Sequence, residues 1–247
     1  MLAIETRDLV KKYGDRRAVD GLNLQVQQGE LYALLGVNGA GKTTAIRMLT
    51  GITAPDGGDA LLMGHSVITE LEAVKRITNL SPQESAVAPR LTVRENLELI
   101  AEIYGLRSRE ARARAERSME EFGLAQVAKQ RAGTLSGGWQ RRLSIAMALI
   151  TQPQVLFLDE PTLGLDVLAR RELWELVRSL HGRVTILLTT HYMEEAEALS
   201  DRVGILQAGR LRAVGTPGEL IERAGAKSFE EAFVALAASK GGDGTCA

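Results

Sequence analysis

The sequence contains almost no cysteine. One cysteine occurs in 247 residues, and this residue, Cys246, lies in a Gly-rich stretch of small residues near the end of the chain. A single cysteine excludes a disulfide framework and is typical of proteins in the reducing cytosol. We therefore expect no functional thiol.

Long hydrophobic runs are also missing. No apolar stretch approaches the length of about 18 residues that a membrane span requires. The first residues, MLAIETRDL, carry charged side chains early, unlike a secretory signal. We expect no direct insertion into a membrane, so any role at a membrane would depend on a partner protein.

The sequence also lacks an excess of charge of either sign. Thirty basic residues face thirty-one acidic residues, which gives a net charge of −1. Such a balance offers no overall attraction to nucleic acid or to an anionic membrane, so we expect no nucleic-acid partner. What remains is ordinary globular composition, with 45% hydrophobic and 25% charged residues, in a chain long enough to bury a large core.

The order of the apolar patterns predicts an α/β fold. The segment from Ile4 to Leu35 has strand-like alternation, and short apolar runs such as VLFLD and VTILLTT predict strands that are covered on both faces, as in a parallel sheet. Helical segments alternate with these strands. We expect a main domain over residues 1–225, and a C-terminal helix with a flexible tail over residues 226–247.

A helical insertion over about residues 90–152 interrupts the alternation. Thr92 and Glu95 form a capping-box pair, which predicts a helix with Leu97, Ile100 and Tyr104 on one face. A second helix is expected from Ser108 to Phe122, with its run of charges in solvent.

A phosphate-binding loop is the strongest motif in the chain. The segment GVNGAGKTT matches G-x-x-x-x-G-K-[ST] and stands between a predicted strand and a predicted helix, as this motif requires. We expect its backbone N–H groups to surround phosphates, Lys42 to supply a positive charge and the Thr43 hydroxyl to bind Mg²⁺. The predicted nucleotide-binding residues of this loop are Gly36, Asn38, Gly39, Ala40, Gly41, Lys42, Thr43 and Thr44.

Two carboxylates follow a buried strand in VLFLDEP. Asp159 lies at the carboxyl end of that strand, where open α/β sheets bind their ligands, and is predicted to hold Mg²⁺. Glu160 is predicted to activate the attacking water as general base. The alternative is that both carboxylates only cap the next helix.

Three single residues are further candidates. Gln83 ends a predicted strand and is placed to contact Mg²⁺ or the attacking water; His191 ends another strand at the same sheet edge, within reach of a γ-phosphate. Tyr13 is a candidate for stacking on an adenine. The alternatives are a surface glutamine, a solvated histidine and an aromatic residue packed on its own domain.

A second anion-binding turn occurs in TLSGGWQRR. Ser136, Gly137 and Gly138 form the expected start of a helix with exposed N–H groups. A bound nucleotide has only one γ-phosphate, and the first loop already covers one side of it. The second turn is therefore best explained if it faces a different nucleotide, held by a second copy of the chain.

Taken in order, these motifs resemble the nucleotide-binding domain of ABC transporters. The resemblance extends from about Ile4 to Leu220 and includes an aspartate loop at Asp166. It implies a P-loop ATPase fold with a mainly parallel core sheet, an N-terminal antiparallel β subdomain and an inserted α-helical subdomain.

The resemblance also implies a mechanism with ATP and Mg²⁺. Two copies would pair head to tail around two ATP molecules, with Ser136 and Gly138 contacting the γ-phosphate bound by the other copy. Asp166 would act across the interface, His191 would hold the γ-phosphate and Glu160 would orient water. A homologous ATPase is an alternative partner to a second identical copy.

The chain departs from the family pattern at two places. Trp139 stands where the family commonly has a polar or flexible residue, which implies altered contacts next to an intact Ser-Gly-Gly. Leu163 and Gly164 precede Leu-Asp where many members have Ser-Ala, which leaves the fine contacts between subunits open.

The segment THYMEEAEALSDRVGILQAGRLRAVGTPGEL is similar to single-domain ATPase subunits of bacterial drug, lipid, peptide or polysaccharide exporters. This similarity implies a cytoplasmic protein, held at the cell membrane by a separate permease that docks around Gln83 to Leu97. The alternatives are the ATPase of an importer, or an ABC ATPase that acts on ribosomes or DNA.

Overall fold

The structure is a computed structural model that describes residues 1–238. Cys246 and the expected flexible tail lie outside the described residues. The strands are β1 (Leu2–Tyr13), β2 (Arg16–Leu22), β3 (Gln25–Gln27), β4 (Leu31–Leu35), β5 (Gly57–Leu62), β6 (His65–Ser66), β7 (Thr78–Ser81), β8 (Val155–Asp159), β9 (Thr185–Thr190), β10 (Arg202–Gln207) and β11 (Arg210–Gly215). The helices are α1 (Lys42–Leu49), α2 (Leu71–Ile77), α3 (Val93–Ile103), α4 (Ser108–Glu121), α5 (Gly137–Leu149), α6 (Val167–Ser179), α7 (Met193–Leu199), α8 (Pro217–Ala224) and α9 (Phe229–Ala238). Two short 3-10 turns, Ala125–Val127 and Ala132–Thr134, connect α4 to α5.

The strands form two sheets. The six-stranded sheet has the order β11-β10-β4-β9-β8-β7, and its neighbours pair in parallel except for the antiparallel hairpin of β10 and β11. The other sheet has the order β2-β1-β5-β6, with β3 also paired to β1, and it is antiparallel throughout. The prediction of a mainly parallel core sheet beside an N-terminal antiparallel unit is confirmed.

The six-stranded sheet is covered on both faces, as its short apolar runs predicted. Successive residues of a strand point to opposite faces. Accordingly, Leu156 and Leu158 of β8 join the apolar cluster that contains the helical insertion, whereas Val155 and Phe157 join the cluster beneath the antiparallel sheet. All four side chains are fully buried, which explains why these four positions of the strand are apolar.

The helical insertion consists of α3, α4 and α5, and its first helix begins as expected. Thr92 accepts from the Glu95 backbone N–H and the Glu95 carboxylate accepts from the Thr92 N–H, so the capping box is present. Leu97 is buried, but the expected position of Tyr104 on the same face is wrong: the helix ends at Ile103, and the tyrosine is its half-exposed C-cap. The charged run of α4 is exposed as predicted, apart from the partly buried Arg114.

Three helices have no counterpart in the sequence prediction. They are α2, α7 and α8, which have 7, 7 and 8 residues. Two turns of helix are too short to establish a 3.6-residue period, and tertiary packing stabilises them. The division of the chain at residue 225 stays a proposal.

The order of strands in the parallel sheet positions the candidate site. Strands β4, β9, β8 and β7 are neighbours, and all four end at the same edge of the sheet. The segments that leave this edge carry the phosphate loop, His191, the Asp159–Glu160 pair and Gln83. One sheet edge therefore brings together segments as far apart in the chain as Gly36 and His191, a separation of 155 residues.

Candidate functional site

The phosphate loop runs from the end of β4 to the start of α1, and two of its glycines are sterically required. A Cβ atom on Gly36 would lie 2.4 Å from the Leu206 carbonyl oxygen, and one on Gly41 would lie 2.3 Å from that of Ala18. Gly41 also has φ = 111°, which side chains disfavour. These contacts hold the loop close against the β1–β2 and β10–β11 hairpins, with the N-terminus of α1 open to a groove.

This groove, called the central groove below, is lined by most of the predicted site residues. From the phosphate loop and the start of α1 come Asn38, Gly39, Gly41, Lys42, Thr43 and Thr44. From the surrounding elements come Tyr13, Gln83, Glu160 and His191. Gly36 and Ala40 are buried beneath the loop and do not line the groove.

Lys42 lies at the floor of the central groove. Its Nζ donates to the carbonyl oxygens of Gly36 at 2.6 Å and Val37 at 3.3 Å, and it lies 3.0 Å from Glu160 Oε1. The lysine side chain is 5% exposed and that of Glu160 is 7% exposed. A buried ammonium group held by carbonyl oxygens and a carboxylate adds a fixed positive charge to the helix N-terminus, and this combination suits phosphate.

Glu160 is held from both sides. Besides the contact with Lys42, its Oε2 lies 2.6 Å from His191 Nδ1. Its backbone has φ = 49°, a left-handed conformation that costs energy in a residue other than glycine. The Glu160 N–H donates to both the carbonyl and the hydroxyl oxygen of Thr189, which stabilises this turn. The carboxylate is thereby directed into the groove next to His191.

Asp159 ends β8 beneath the groove and is 4% exposed. Its Oδ1 accepts from the hydroxyl groups of Thr43 at 3.2 Å and Thr189 at 2.6 Å. One carboxylate next to one hydroxyl is a set of hard oxygen donors that suits Mg²⁺. No cluster of three or more His, Cys, Asp or Glu side chains occurs within residues 1–238, so an ion here would take further ligands from a nucleotide or from water.

The signature turn, Leu135 to Gln140, lies elsewhere on the surface. Ser136 is the exposed N-cap of α5, but its side chain makes no capping hydrogen bond. Among the described residues that line the central groove, none comes from the signature turn. The structure therefore separates the two anion-binding turns within one chain.

The aspartate loop packs beside the signature turn. Asp166 caps α6 by accepting from the backbone N–H groups of Leu168 and Ala169, each at 2.9 Å. A Cβ atom on Gly138 would lie 3.1 Å from the Cβ of Ala169, so the starts of α5 and α6 are in close contact. Leu168 and its neighbour Val167 are large apolar residues that are 72% and 64% exposed.

The unusual Trp139 is partly buried and packs against the core of the helical insertion. The Arg142 guanidinium lies 5.2 Å from the centre of its ring, a cation–π distance. The Trp139 side chain therefore has its own packing role within the chain, and the neighbouring Ser136 and Gly137 remain exposed.

Three residues near the site were missed by the sequence analysis. Arg16 donates to the Gly39 carbonyl oxygen at 2.9 Å and lines the groove, Thr189 supports both acidic residues, and Arg141 contacts the backbone around Gln83. Their residue types are common in any chain. Only Arg141, which directly follows the signature turn, had a position that could have drawn attention.

Behind the site lies a fully buried carboxyl group, Glu195 on α7. The Trp174 indole donates to its Oε1 at 3.2 Å. Burial raises the pKa of Glu195 above its ordinary value of 4.5, and the nearby charge of Glu160 adds to this, whereas the hydrogen bond from Trp174 acts in the opposite direction. The raised pKa means that the folded chain holds a proton here over a pH range in which the unfolded chain has lost it.

This proton makes stability depend on pH. Above pH 4.5 and up to the raised pKa, unfolding releases the Glu195 proton, so the free energy of unfolding falls as pH rises, by up to about 1.4 kcal/mol per pH unit. Glu195→Gln keeps an acceptor for Trp174 and removes the proton. We expect the melting temperature of the variant, relative to that of the parent, to rise as the pH increases from 4.5 toward the raised pKa. The exposed Glu194→Gln is the control, and an equal difference at every pH would contradict the assignment.

No helix within residues 1–238 combines the length and the apolar character needed to cross a bilayer.

A family model described as ABC transporter matches residues 19–163. A daunorubicin resistance ATP-binding protein of Streptomyces coeruleorubidus is 47% identical over 219 residues, which are 88% of this chain and 69% of that protein. A Nod factor export ATP-binding protein of Burkholderia thailandensis is 48% identical over 220 residues, 89% of this chain and 72% of that protein.

The chain is also similar in structure to solved ATP-binding proteins. The ATP-binding subunit of an ABC transporter superposes with a TM-score of 0.83 at 31% identity and covers 95% of this chain and 99% of its own. A dimeric post-hydrolysis state of an ATP-binding cassette, bound to ADP and phosphate, superposes with a TM-score of 0.77 at 25% identity and covers 86% of this chain and 98% of its own.

Proposed function

Since this chain belongs to the ABC transporter family, we propose that it is the ATP-hydrolysing subunit of an exporter and that two copies enclose two ATP molecules to drive a separate permease. The names of its relatives, a drug resistance protein and a Nod factor export protein, support export. A homologous ATPase is the alternative second subunit, and an importer is the alternative transporter.

The observation that carries this proposal is the separation of the two anion-binding turns. The central groove contains the N-terminus of α1 and polar side chains that follow four strand ends. The signature turn presents a second exposed helix N-terminus, with Ser136 free of any capping bond, outside this groove. A head-to-tail pair would bring each signature turn against the phosphate chain held by the other copy.

The surface beside the signature turn fits such a pair. Val167 and Leu168 are exposed apolar residues that directly follow Asp166. A second copy covering this surface would bury both side chains. This burial would stabilise the pair by about 25 cal/mol per Å² of apolar area removed from water. Asp166 would then lie at the interface, where we propose that it contacts the partner copy.

Within each site, we propose that Thr43, Asp159 and Gln83 hold Mg²⁺ together with the phosphate oxygens. When bound, this ion neutralises charge that develops on the phosphoryl oxygens. Lys42 and the N–H groups of the phosphate loop bind and orient the triphosphate, and Tyr13 lies at the edge of the groove where an adenine ring can stack.

Glu160 and His191 then carry out the reaction step. A water molecule attacks the γ-phosphorus, the bond to the ADP oxygen breaks, and Glu160 accepts the proton that the water loses. His191, at 2.6 Å from Glu160, orients that carboxylate and contacts the γ-phosphate. The signature turn of the partner copy completes the set of donors around the phosphate.

The metal assignment makes its own prediction. Excess EDTA is expected to abolish turnover, because Lys42 and the loop alone cannot balance the charge of the phosphates. Asp159→Asn is expected to raise the Mg²⁺ concentration at half-maximal turnover about 10- to 100-fold, the scale for lost metal-site interactions. Magnesium titrations of ATPase activity measure both effects. Full activity in EDTA would contradict the proposal.

The permease is proposed to dock on the surface from Gln83 to Leu97 and thereby hold the chain at the cytoplasmic face of the membrane. Next to this surface, α3 exposes the side chains of Leu99 and Ile103, and its C-cap Tyr104 is also exposed. The test is reconstitution of the chain in proteoliposomes with a candidate permease, one that co-purifies with it. We expect ATP-dependent movement of substrate away from the side that holds this chain, and movement toward that side would contradict export.

A further inference from the structure

A buried arginine on α5 connects the signature turn with the ATP site of the same chain. Arg141 is 4% exposed and lies five residues after Ser136. Its guanidinium donates to the carbonyl oxygens of Pro82 at 2.5 Å and of Gln83 in a short contact, and lies 3.5 Å from the carbonyl oxygen of Glu160. One side chain of α5 therefore contacts the backbone of Gln83, which we propose holds Mg²⁺, and of Glu160, which we propose activates the attacking water.

Burial of the Arg141 guanidinium restricts the groups that can contact it. Burial lowers the pKa of Arg141, because the charged form loses its hydration, and the negative charge of Asp159 opposes this. A buried guanidinium group requires hydrogen-bond acceptors, and the planar fork of arginine donates in several fixed directions at once. The acceptors here are backbone carbonyl oxygens, so the contact controls where Gln83 and Glu160 lie without using their side chains.

The direction of α5 gives the contact a consequence for function. The N-terminus of this helix is the signature turn, which we propose binds the ATP of the partner copy. A helix moves as a rigid element, so a shift of Ser136 on closing carries Arg141 with it. Such a shift would move Gln83 and Glu160 in the ATP site of the same chain, because Arg141 contacts the backbone of both.

We propose that Arg141 is a positioning residue that transmits closure of the signature turn to the water-activating side of its own ATP site. This inference rests on the proposed function, because it needs the pair of copies around two ATP molecules. It predicts that loss of the guanidinium separates closure from hydrolysis: ATP binding and pairing persist, and turnover falls.

The test uses Arg141→Gln in two backgrounds of the full chain. In the otherwise unchanged chain, we expect kcat to fall about 10- to 100-fold, with the KM for ATP within about threefold of the parent. In the Glu160→Gln background, we expect the ATP-dependent dimer to form at the same protein and ATP concentrations as with Glu160→Gln alone. Arg141→Lys, which keeps the charge but not the fork, is expected to restore part of kcat and serves if the Gln variant does not fold.

The matched control is Arg114→Gln. Arg114 also donates to a backbone carbonyl oxygen, that of Ile150, but Ile150 does not line the central groove and has no proposed role in the site. We expect the kcat of Arg114→Gln to lie within about twofold of that of the parent.

Two results would overturn the inference. One is parent-like kcat in Arg141→Gln, or in Arg141→Lys if that is the only folded variant. The other is loss of the ATP-dependent dimer when either Arg141 variant is combined with Glu160→Gln, because Arg141 would then act on the signature turn itself. Failure of Glu160→Gln alone to form a dimer would instead contradict the proposed function.

Discussion

Glu160→Gln is expected to reduce steady-state ATP turnover about 10²- to 10³-fold while leaving ATP binding and ATP-dependent pairing intact. The glutamine keeps the size of the side chain but cannot accept the proton of the attacking water. The remaining contacts of the phosphates, with Lys42, the loop backbone and the signature turn of the partner copy, are unchanged. The variant should therefore reach the closed pair and stop there.

The measurement combines turnover at saturating Mg-ATP with the mass of the protein in solution. Glu175→Gln is the matched control, because Glu175 lies on the exposed face of α6 outside the groove, and its turnover should stay within about twofold of the parent. Parent-like turnover in Glu160→Gln would mean that another group activates the water.

Ser136→Arg is expected to give the second large effect, loss of pairing without loss of ATP binding by the single chain. Ser136 is exposed, makes no capping hydrogen bond and lies outside the central groove, so its replacement leaves α5 and the groove in place. A long side chain at this position would occupy the space that the γ-phosphate of the partner site needs. Turnover should fall at least 10²-fold because neither site can be completed.

Pairing is measured in the Glu160→Gln background, where closure is not followed by hydrolysis. Ser108→Arg provides the control. Ser108 is the exposed first residue of α4, so the control places the same substitution at another helix start. We expect the control to pair and Ser136→Arg to remain a single chain at saturating ATP. An ATP-dependent dimer of Ser136→Arg would contradict the assignment of the signature turn to the partner site.

The sequence predicted the fold well where a pattern has one physical explanation. Four successive apolar residues at Val155 to Leu158 require cover on both faces of a strand, and the glycines of the phosphate loop require close backbone approach. The capping box at Thr92 and Glu95 marks one helix start. In contrast, α2, α7 and α8 are too short for a periodic signal, and they depend on tertiary contacts.

The candidate site was predictable in its charged and glycine positions but not in its supporting contacts. The carboxyl ends of neighbouring parallel strands meet at one edge, which brought Gln83, Glu160 and His191 into one groove. The contacts of Arg141 with the carbonyl oxygens of Pro82 and Gln83 depend on backbone geometry that no residue type reveals. The left-handed backbone of Glu160, stabilised by Thr189, is hidden for the same reason.

One measurement tests most directly whether a complete ATP site needs two copies: the mass of the protein in solution, followed with its turnover during steady-state hydrolysis over a range of protein concentrations. We expect turnover per chain to rise with concentration, in step with a shift from 26.7 kDa to about twice this mass in the presence of Mg-ATP. Full turnover per chain at concentrations where only the 26.7 kDa species is present would contradict the account.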